Sequence, residues 1–444
     1  MKSLLIVTEA FEVGGLETHI RGEIVSLSRA GCSVHLATGK RFNPLLLPPE
    51  TASLTTHLPF GPETTLTELG HAVEALRHII RQHAIKCVHA HPFTSLLPAY
   101  IAAEFEKIPF VLTLHGPASL GSFYGPLYDF ILTSILLPHA ALVVTVSEEI
   151  SELASPYVAQ GQIFTLPNGI DIDTFSTKIP STDTDPRWLL VSRLDSFKVA
   201  GIADFIAKAK AAGLPGVLLA GDGPSKETLI NQLAHADMLS IVEFCGARAD
   251  IPQLMQSVAG VAGMGRVVLE GLASHKPVCL VGYDGVKGVV NSTSFFQASL
   301  TNFSGRNLEN IDETTFINQI KNLPHIPVTA LYDTVREQFI ETRLWKSFLD
   351  KISTLEPIAP TLLGHCYRAL TVNPISENMP FLQSPIFLEQ MGKLAHSPNY
   401  YRADLVARFL FHKDQFINDT HQKAFAEFNT QIAHLHQSIT QQEK

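Results

Sequence analysis

Four short stretches of the chain hold residue types and spacings that could do chemistry on an anionic ligand. In Leu190-Val191-Ser192-Arg193-Leu194-Asp195-Ser196-Phe197-Lys198, an arginine and a lysine follow an apolar run that reads as a strand. Such a pair can converge on one anionic group, Arg193 as a bidentate fork and Lys198 as a point charge. In Gly263-Met264-Gly265-Arg266-Val267-Val268-Leu269-Glu270, glycines lie between a strand and a helix. That arrangement suits a diphosphate on backbone amides, and Glu270, one turn into the helix, could accept from ribose hydroxyls or simply favour the helix dipole. Gly14-Gly15 lies in a similar strand-to-helix turn, without the Gly-x-Gly-x-x-Gly form of a dinucleotide fingerprint. Thr113-Leu114-His115-Gly116 places His115 at a strand's carboxyl end, where open α/β sheets bind ligands. His89 and His91 bracket another strand end and read as structural.

These stretches need elements to position them. Apolar runs at Leu4–Thr8, Val34–Thr38, Cys87–Ala90, Phe110–Leu114 and Leu142–Val146 predict strands, alternating with helical stretches such as 66–84. The alternation breaks in the polar, proline-bounded segment 176–186, a linker. It restarts at Trp188–Ser192, Val217–Ala220, Val242–Cys245, Gly260–Ala262 and Pro277–Val281. Near-continuous apolar strands alternating with helices indicate parallel sheets covered on both faces, here two doubly wound α/β domains in tandem. A single helix is predicted over 331–350, followed by a helical extension in which Phe425, Phe428, Ile432, Leu435 and Ile439 form a seam.

Composition narrows the function classes. The chain has 444 residues, is 45% hydrophobic and 17% charged, and carries a net charge of −9. That is too apolar for a largely disordered chain. Residues 1–175 hold 9 basic and 16 acidic side chains, residues 176–350 hold 16 and 18, and residues 351–444 hold 8 and 8. No segment has the basic excess that nucleic acid needs. Five scattered cysteines without a Cys-x-x-Cys pair suggest a reduced cytoplasmic protein and no structural zinc. The start, Met1–Val7, is too short for a signal h-region and reads as a buried first strand. Phe130–Ser147 lacks charged residues, but Pro138 and His139 interrupt it, so helix, turn and buried strand are expected rather than a membrane span. Asp171-Ile172-Asp173 and Asp183-Thr184-Asp185 have a metal-binding form without the strand context for it, and no metal is expected.

Taken in order, the four stretches resemble the family 4 glycosyltransferases. Val88-His89-Ala90-His91, Ile108–Gly116, Val146-Ser147-Glu148, Leu166–Phe175, Leu219–Pro224 and Phe244-Cys245-Gly246 are similar to that family too. The resemblance covers about residues 1–352 and implies the GT-B architecture, two facing Rossmann-like domains. An acceptor-side domain would span 1–175 and a nucleotide-sugar domain 176–352, its final helix returning to the first domain. Residues 353–444 form an extension the family does not require. The implied activity is retaining transfer from a nucleotide-diphosphate sugar, a UDP-sugar above all, to a glycan or lipid-linked acceptor in surface polysaccharide synthesis, with no metal and no cofactor. By the same resemblance Arg193 and Lys198 would neutralise the leaving diphosphate and Glu270 would hold the ribose. His115 would touch the donor sugar or its phosphate. Gly265, Arg266 and Val267 would line the phosphate site with backbone amides, Gly14 and Gly15 would close from the other domain, and Arg248 would lie near the base.

One position departs from the family. Its first glutamate, separated from the second by seven intervening residues, corresponds to Ala262, which puts recognition of the donor sugar in question. The alternatives are a degenerate transferase acting as a sugar-nucleotide binder or assembly subunit, and a GT-B epimerase. Contact with the inner membrane surface would have to come from Arg77, Arg81 and Lys86, the compact basic cluster of an otherwise acidic domain, and homo-oligomerisation from the C-terminal helix.

Overall fold

The computed structural model describes residues 3–12, 14–48, 51, 54–120, 126–159, 161–176, 185–359 and 361. Most of the predicted linker, the 425–439 seam and nearly all of the extension lie outside them.

The first sheet has seven parallel strands: β1 (Ser3–Thr8), β2 (Ser33–Thr38), β3 (Thr55–His57), β4 (Val88–Ala90), β5 (Phe110–Leu114), β6 (Leu142–Thr145) and β7 (Ile163–Thr165), in the order β3-β2-β1-β4-β5-β6-β7. Alternate residues of β1 show why the strands read as continuous apolar runs. Leu5 and Val7 enter one core and Leu4 and Ile6 the other, because both faces are covered. Helices α1 (Gly15–Arg29), α2 (Leu66–Gln82) and α3 (Leu96–Glu106) supply the cover, and the short α4 (Glu148–Ala154) follows β6. Thr65 closes the front of α2 with a capping box to Glu68.

The second sheet comprises β8 (Asp185–Val191), β9 (Val217–Ala220), β10 (Val242–Gly246), β11 (Val258–Gly263), β12 (Val278–Val281) and β13 (Val286–Val289), ordered β10-β9-β8-β11-β12-β13. All pairings are parallel except β12 with β13. Helix α5 (Val199–Ala211) covers one face; α6 (Arg266–Ala273) and α7 (Val328–Gln338) cover the other.

The single helix predicted over 331–350 is two. The chain breaks at Ile340, which is extended and pairs with Ile170, and α8 (Glu341–Ile352) follows. Leu331, Val335 and Phe339 pack in the second domain, whereas Trp345, Phe348 and Ile352 pack against α1 in the first. Two helices with similar apolar spacing therefore serve two cores. Beyond α8, Ile358 enters the first domain's core, and Thr361 donates its amide and hydroxyl to Glu104 at 3.1 and 2.7 Å.

Among the described residues no helix is long and apolar enough to cross a membrane. The charge-poor stretch 130–147 holds short helical turns and β6. The basic cluster is largely neutralised: Arg77 and Arg81 both donate to Glu106, and Arg77 also to Glu74.

Candidate active site

Each sheet changes winding direction at one point, between β1 and β4 in the first and between β8 and β11 in the second. The carboxyl ends flanking such a point open a crevice that ligands use. Three of the four stretches lie there, and the His115 stretch lies one strand over, beyond β5. Gly14 and Gly15 follow β1 and His115 follows β5, while Arg193 and Lys198 follow β8 and Gly263–Glu270 follow β11. The two crevices face one another. The Arg193 charge acts on Glu17 of α1 across the gap, and Asn168 donates to Asn302 of the second domain at 2.9 Å.

On the second-domain side, Asp195 orients Arg193, whose Nε and Nη2 donate to Oδ1 at 3.2 and 3.0 Å. Lys198 closes the 3₁₀ turn that follows. Burial pulls its ammonium below the ordinary lysine range, Asp195 opposes that shift, and Arg193 adds to it. The two cations share Asp195, and the repulsion that remains between them favours a further anion.

Gly263 and Gly265 make the turn into α6. Gly265, at φ 62° and ψ −132°, occupies a region that residues with a Cβ avoid. Its amide is not free for phosphate as the resemblance implied, because it donates to the Phe303 carbonyl at 2.8 Å. The amides of Arg266 and Val267 open the helix, where no intrahelical partner exists. The Arg266 side chain is turned to the domain junction. Nη1 donates to the Gly169 carbonyl at 2.5 Å, Nη2 lies 3.4 Å from Glu341, and Nε, buried without a hydrogen bond, lies 3.6 Å from Glu270. Burial raises the Glu270 carboxyl, with the Arg266 charge opposing. Arg248 follows β10 and is paired with Asp250 at 2.8 Å.

Ala262 lies within β11, fully buried against the α5 face beside Leu190 and Cys279. Strand and helix are joined by Met264 and Gly265 alone, so no loop exists to carry a sugar-binding carboxylate. A glutamate placed here would enter the core rather than the crevice. Ala262→Glu is therefore expected to destabilise the protein by about 3 kcal/mol or more, as a carboxylate buried without a partner does. Thermal denaturation checks this; a variant as stable as the parent would move position 262 out of the core.

On the first-domain side, Gly15 faces open space, and Gly14 is the extended N-cap of α1. His115 is enclosed. Its Nε2 lies 2.9 Å from His91 Nδ1, and its ring meets that of His19 edge-on at 4.8 Å. Burial, then the neighbouring histidines, hold it well below the usual histidine range. It is a neutral hydrogen-bonding ring, not a cation for phosphate. His91 and His89 are also buried and are pushed down to about 3. Both approach Glu23 of α1, His89 Nδ1 at 2.6 Å and His91 Nε2 at 3.3 Å.

Sequence reasoning missed Glu23 and His19. The signal was present: Ile20, Glu23, Ile24 and Leu27 share the buried face of α1, and a carboxylate in such a row demands partners. Glu23, His89 and His91 are also the group among the described residues that could hold a metal, with ligand atoms within 4.8 Å of one another. The 2.6 Å contact between Glu23 and His89 is a hydrogen-bond distance, shorter than the roughly 3.3 Å between two ligands of a tetrahedral zinc with bonds of about 2.0–2.1 Å.

This pairing of two doubly wound domains across a crevice is the GT-B fold. The chain is similar over 79% of its length, and 97% of the other chain, to a glycosyltransferase from Rickettsia africae (TM-score 0.63, 17% identity). It is similar over 80% of its length to all of Anabaena HepE, solved with UDP (TM-score 0.61, 18% identity). A lipopolysaccharide outer core galactosyltransferase, WaaB, is similar over 79% of this chain and 99% of its own (TM-score 0.56, 15% identity). No curated protein matches the chain by sequence. Residues 13–174, within the first domain, match the Glycosyltransferase Family 4 model.

Proposed function

We propose that the chain is a glycosyltransferase that takes a nucleotide-diphosphate sugar, with UDP-sugars the first candidates, and passes the sugar with retention to a glycan or lipid-linked acceptor. The observation that carries this is the position of Arg193, Lys198 and the α6 N-terminus at one switch point, facing Gly15 at the other and His115 one strand beside it. HepE, of the same fold, was solved with UDP and with UDP-glucose, which supports the choice of donor.

In this reading the diphosphate lies between the Arg193–Lys198 pair and the Arg266 and Val267 amides. The bond from the anomeric carbon to the phosphate oxygen breaks with its electron pair leaving on phosphate. Charge grows there, and the fixed cations stabilise it more than they stabilise the ground state. The acceptor oxygen joins the same face of the anomeric carbon, and its proton goes to the departing phosphate. Glu270 receives the ribose hydroxyls. Surface polysaccharide synthesis in the cytoplasm, without a metal, belongs to the same proposal and rests on the family resemblance.

The test is nucleotide release from a panel of UDP- and GDP-sugars with lipid-linked and soluble acceptors, beside thermal shift with each donor. Release with one donor and one acceptor is expected. Binding of donors without any release would instead make the chain a sugar-nucleotide binder.

A further inference from the structure

We propose that Glu23 is a positioning residue that fixes the tautomer of His115, holding its ring proton on Nε2 and leaving Nδ1 bare to accept from a hydroxyl of the bound sugar. The sugar in this statement rests on the proposed function; the tautomer does not.

The argument follows the protons. Glu23 is fully buried; burial raises its carboxyl and the His91 ring opposes that, and in the ionised form, which the proposal assigns to it, a carboxylate only accepts. Two ring nitrogens face it, His89 Nδ1 and His91 Nε2. Oε2 of Glu23 and Nε2 of His91 are both buried, make no hydrogen bond among the described residues and lie 3.3 Å apart, so a bare Nε2 would set its lone pair against the carboxylate and a proton on Nε2 is favoured. A neutral imidazole carries one ring proton. With the proton of His89 on Nδ1, its Nε2 accepts from the Thr113 hydroxyl at 2.7 Å. With the proton of His91 on Nε2, its Nδ1 can only accept. His115 Nε2, 2.9 Å away, must then donate. That uses the single ring proton of His115, and its Nδ1 makes no hydrogen bond among the described residues. The remaining neighbour, His19, is held separately through Nδ1 on Asn168 Oδ1 at 2.8 Å.

The direction of the chain is set at its far end. A proton on Oε2 of Glu23 would donate to His91 Nε2, move the His91 proton to Nδ1, and make His115 Nδ1 a donor. Glutamine at position 23 offers the same reversal without a change of size, because its amide nitrogen can face His91.

Long-range ¹H–¹⁵N spectra of protein labelled with ¹⁵N-histidine read each ring directly. The expected result in the parent is a bare, unprotonated Nδ1 on His115. In Glu23→Gln that signal should move toward the Nδ1–H form or split, with kcat/KM for the sugar donor falling about tenfold, the scale of one lost hydrogen bond. A parent protein with Nδ1–H or a doubly protonated His115 overturns the proposal even if the variant fails to fold. So does a folded Glu23→Gln with the parent's His115 signal, which would leave Glu23 a packing residue only. Stoichiometric metal in the purified protein also overturns it, since a metal would replace the ring protons. If no donor is turned over while the tautomers behave as expected, the functional reading fails and the assignment of the network stands.

Discussion

Replacing Arg193 or Lys198 with alanine is expected to lower turnover by about 10²–10³-fold each, the usual cost of removing one fixed group that stabilises developing charge. The thermal transition should stay within a few degrees of the parent. Arg193 is largely exposed and Lys198 partly so, neither belongs to an apolar core, and the β8 turn is held by backbone bonds such as Lys198 N–H to the Asp195 carbonyl at 2.9 Å. Arg193→Lys should restore little, because a point charge does not reproduce the planar fork that Asp195 orients. The pH dependence has a definite sign. An ammonium is charged below its pKa and loses charge as pH rises through it. Burial lowers that pKa for Lys198 from the ordinary 10.5, so the alkaline limb of kcat/KM should fall earlier than an ordinary lysine would give. Lys198→Ala should remove the limb. Unchanged rates in both alanine variants would dismiss the cation pair as the diphosphate clamp.

The interior strands were legible because burial on both faces leaves only apolar runs. Phe110–Leu114 and Val217–Ala220 were read to the residue. The strands missed lie at sheet edges. Thr55–His57 and Ile163–Thr165 are three residues long and only partly buried, so they leave no run to read, and in the buried edge strand Val286–Val289 Lys287 and Gly288 interrupt the apolar run. The break at Ile340 carries no glycine or proline; it exists because the chain changes domains, a tertiary fact that periodicity does not record. Arg193, Lys198 and His115 were legible from type and strand context. The fate of the Gly265 amide was not, since its acceptor, Phe303, lies far along the chain. Ala262 marks the limit of reading by spacing. Counting back from Glu270 finds an alanine where the family has a glutamate, but the structure shows a two-residue turn, Met264-Gly265, and puts Ala262 in the core.

Removing the Arg306 side chain should open the crevice rather than unfold the protein. Arg306 Nε donates to Glu149 Oε1 at 3.0 Å and its Nη2 donates to Oε2, joining the second domain to the start of α4 in the first. The side chains are 15% and 7% exposed, so the pair is nearly dry. The Glu149 amide adds a bond to the Leu300 carbonyl at 3.0 Å, beside the contacts of Asn168 with Asn302 and of Arg266 with Gly169. Leaving one member of a buried pair unpaired costs about 3–5 kcal/mol when it must stay buried. Here it need not. Each domain keeps its own apolar core, and neither Glu149 nor Arg306 belongs to one, so separating the domains returns the carboxylate to water at the smaller cost of the remaining junction contacts. Arg306→Ala should therefore enlarge the radius of gyration in solution scattering and speed amide exchange at Glu149. The donor KM should rise while the melting transition moves little. Replacing both members, Glu149→Leu with Arg306→Met, removes the stranded charge, and an apolar pair of similar volume is often neutral or better. The double variant should close again. An Arg306→Ala protein as compact as the parent, with unaltered exchange at Glu149, would show that the other junction contacts suffice and that this ion pair does not hold the crevice shut.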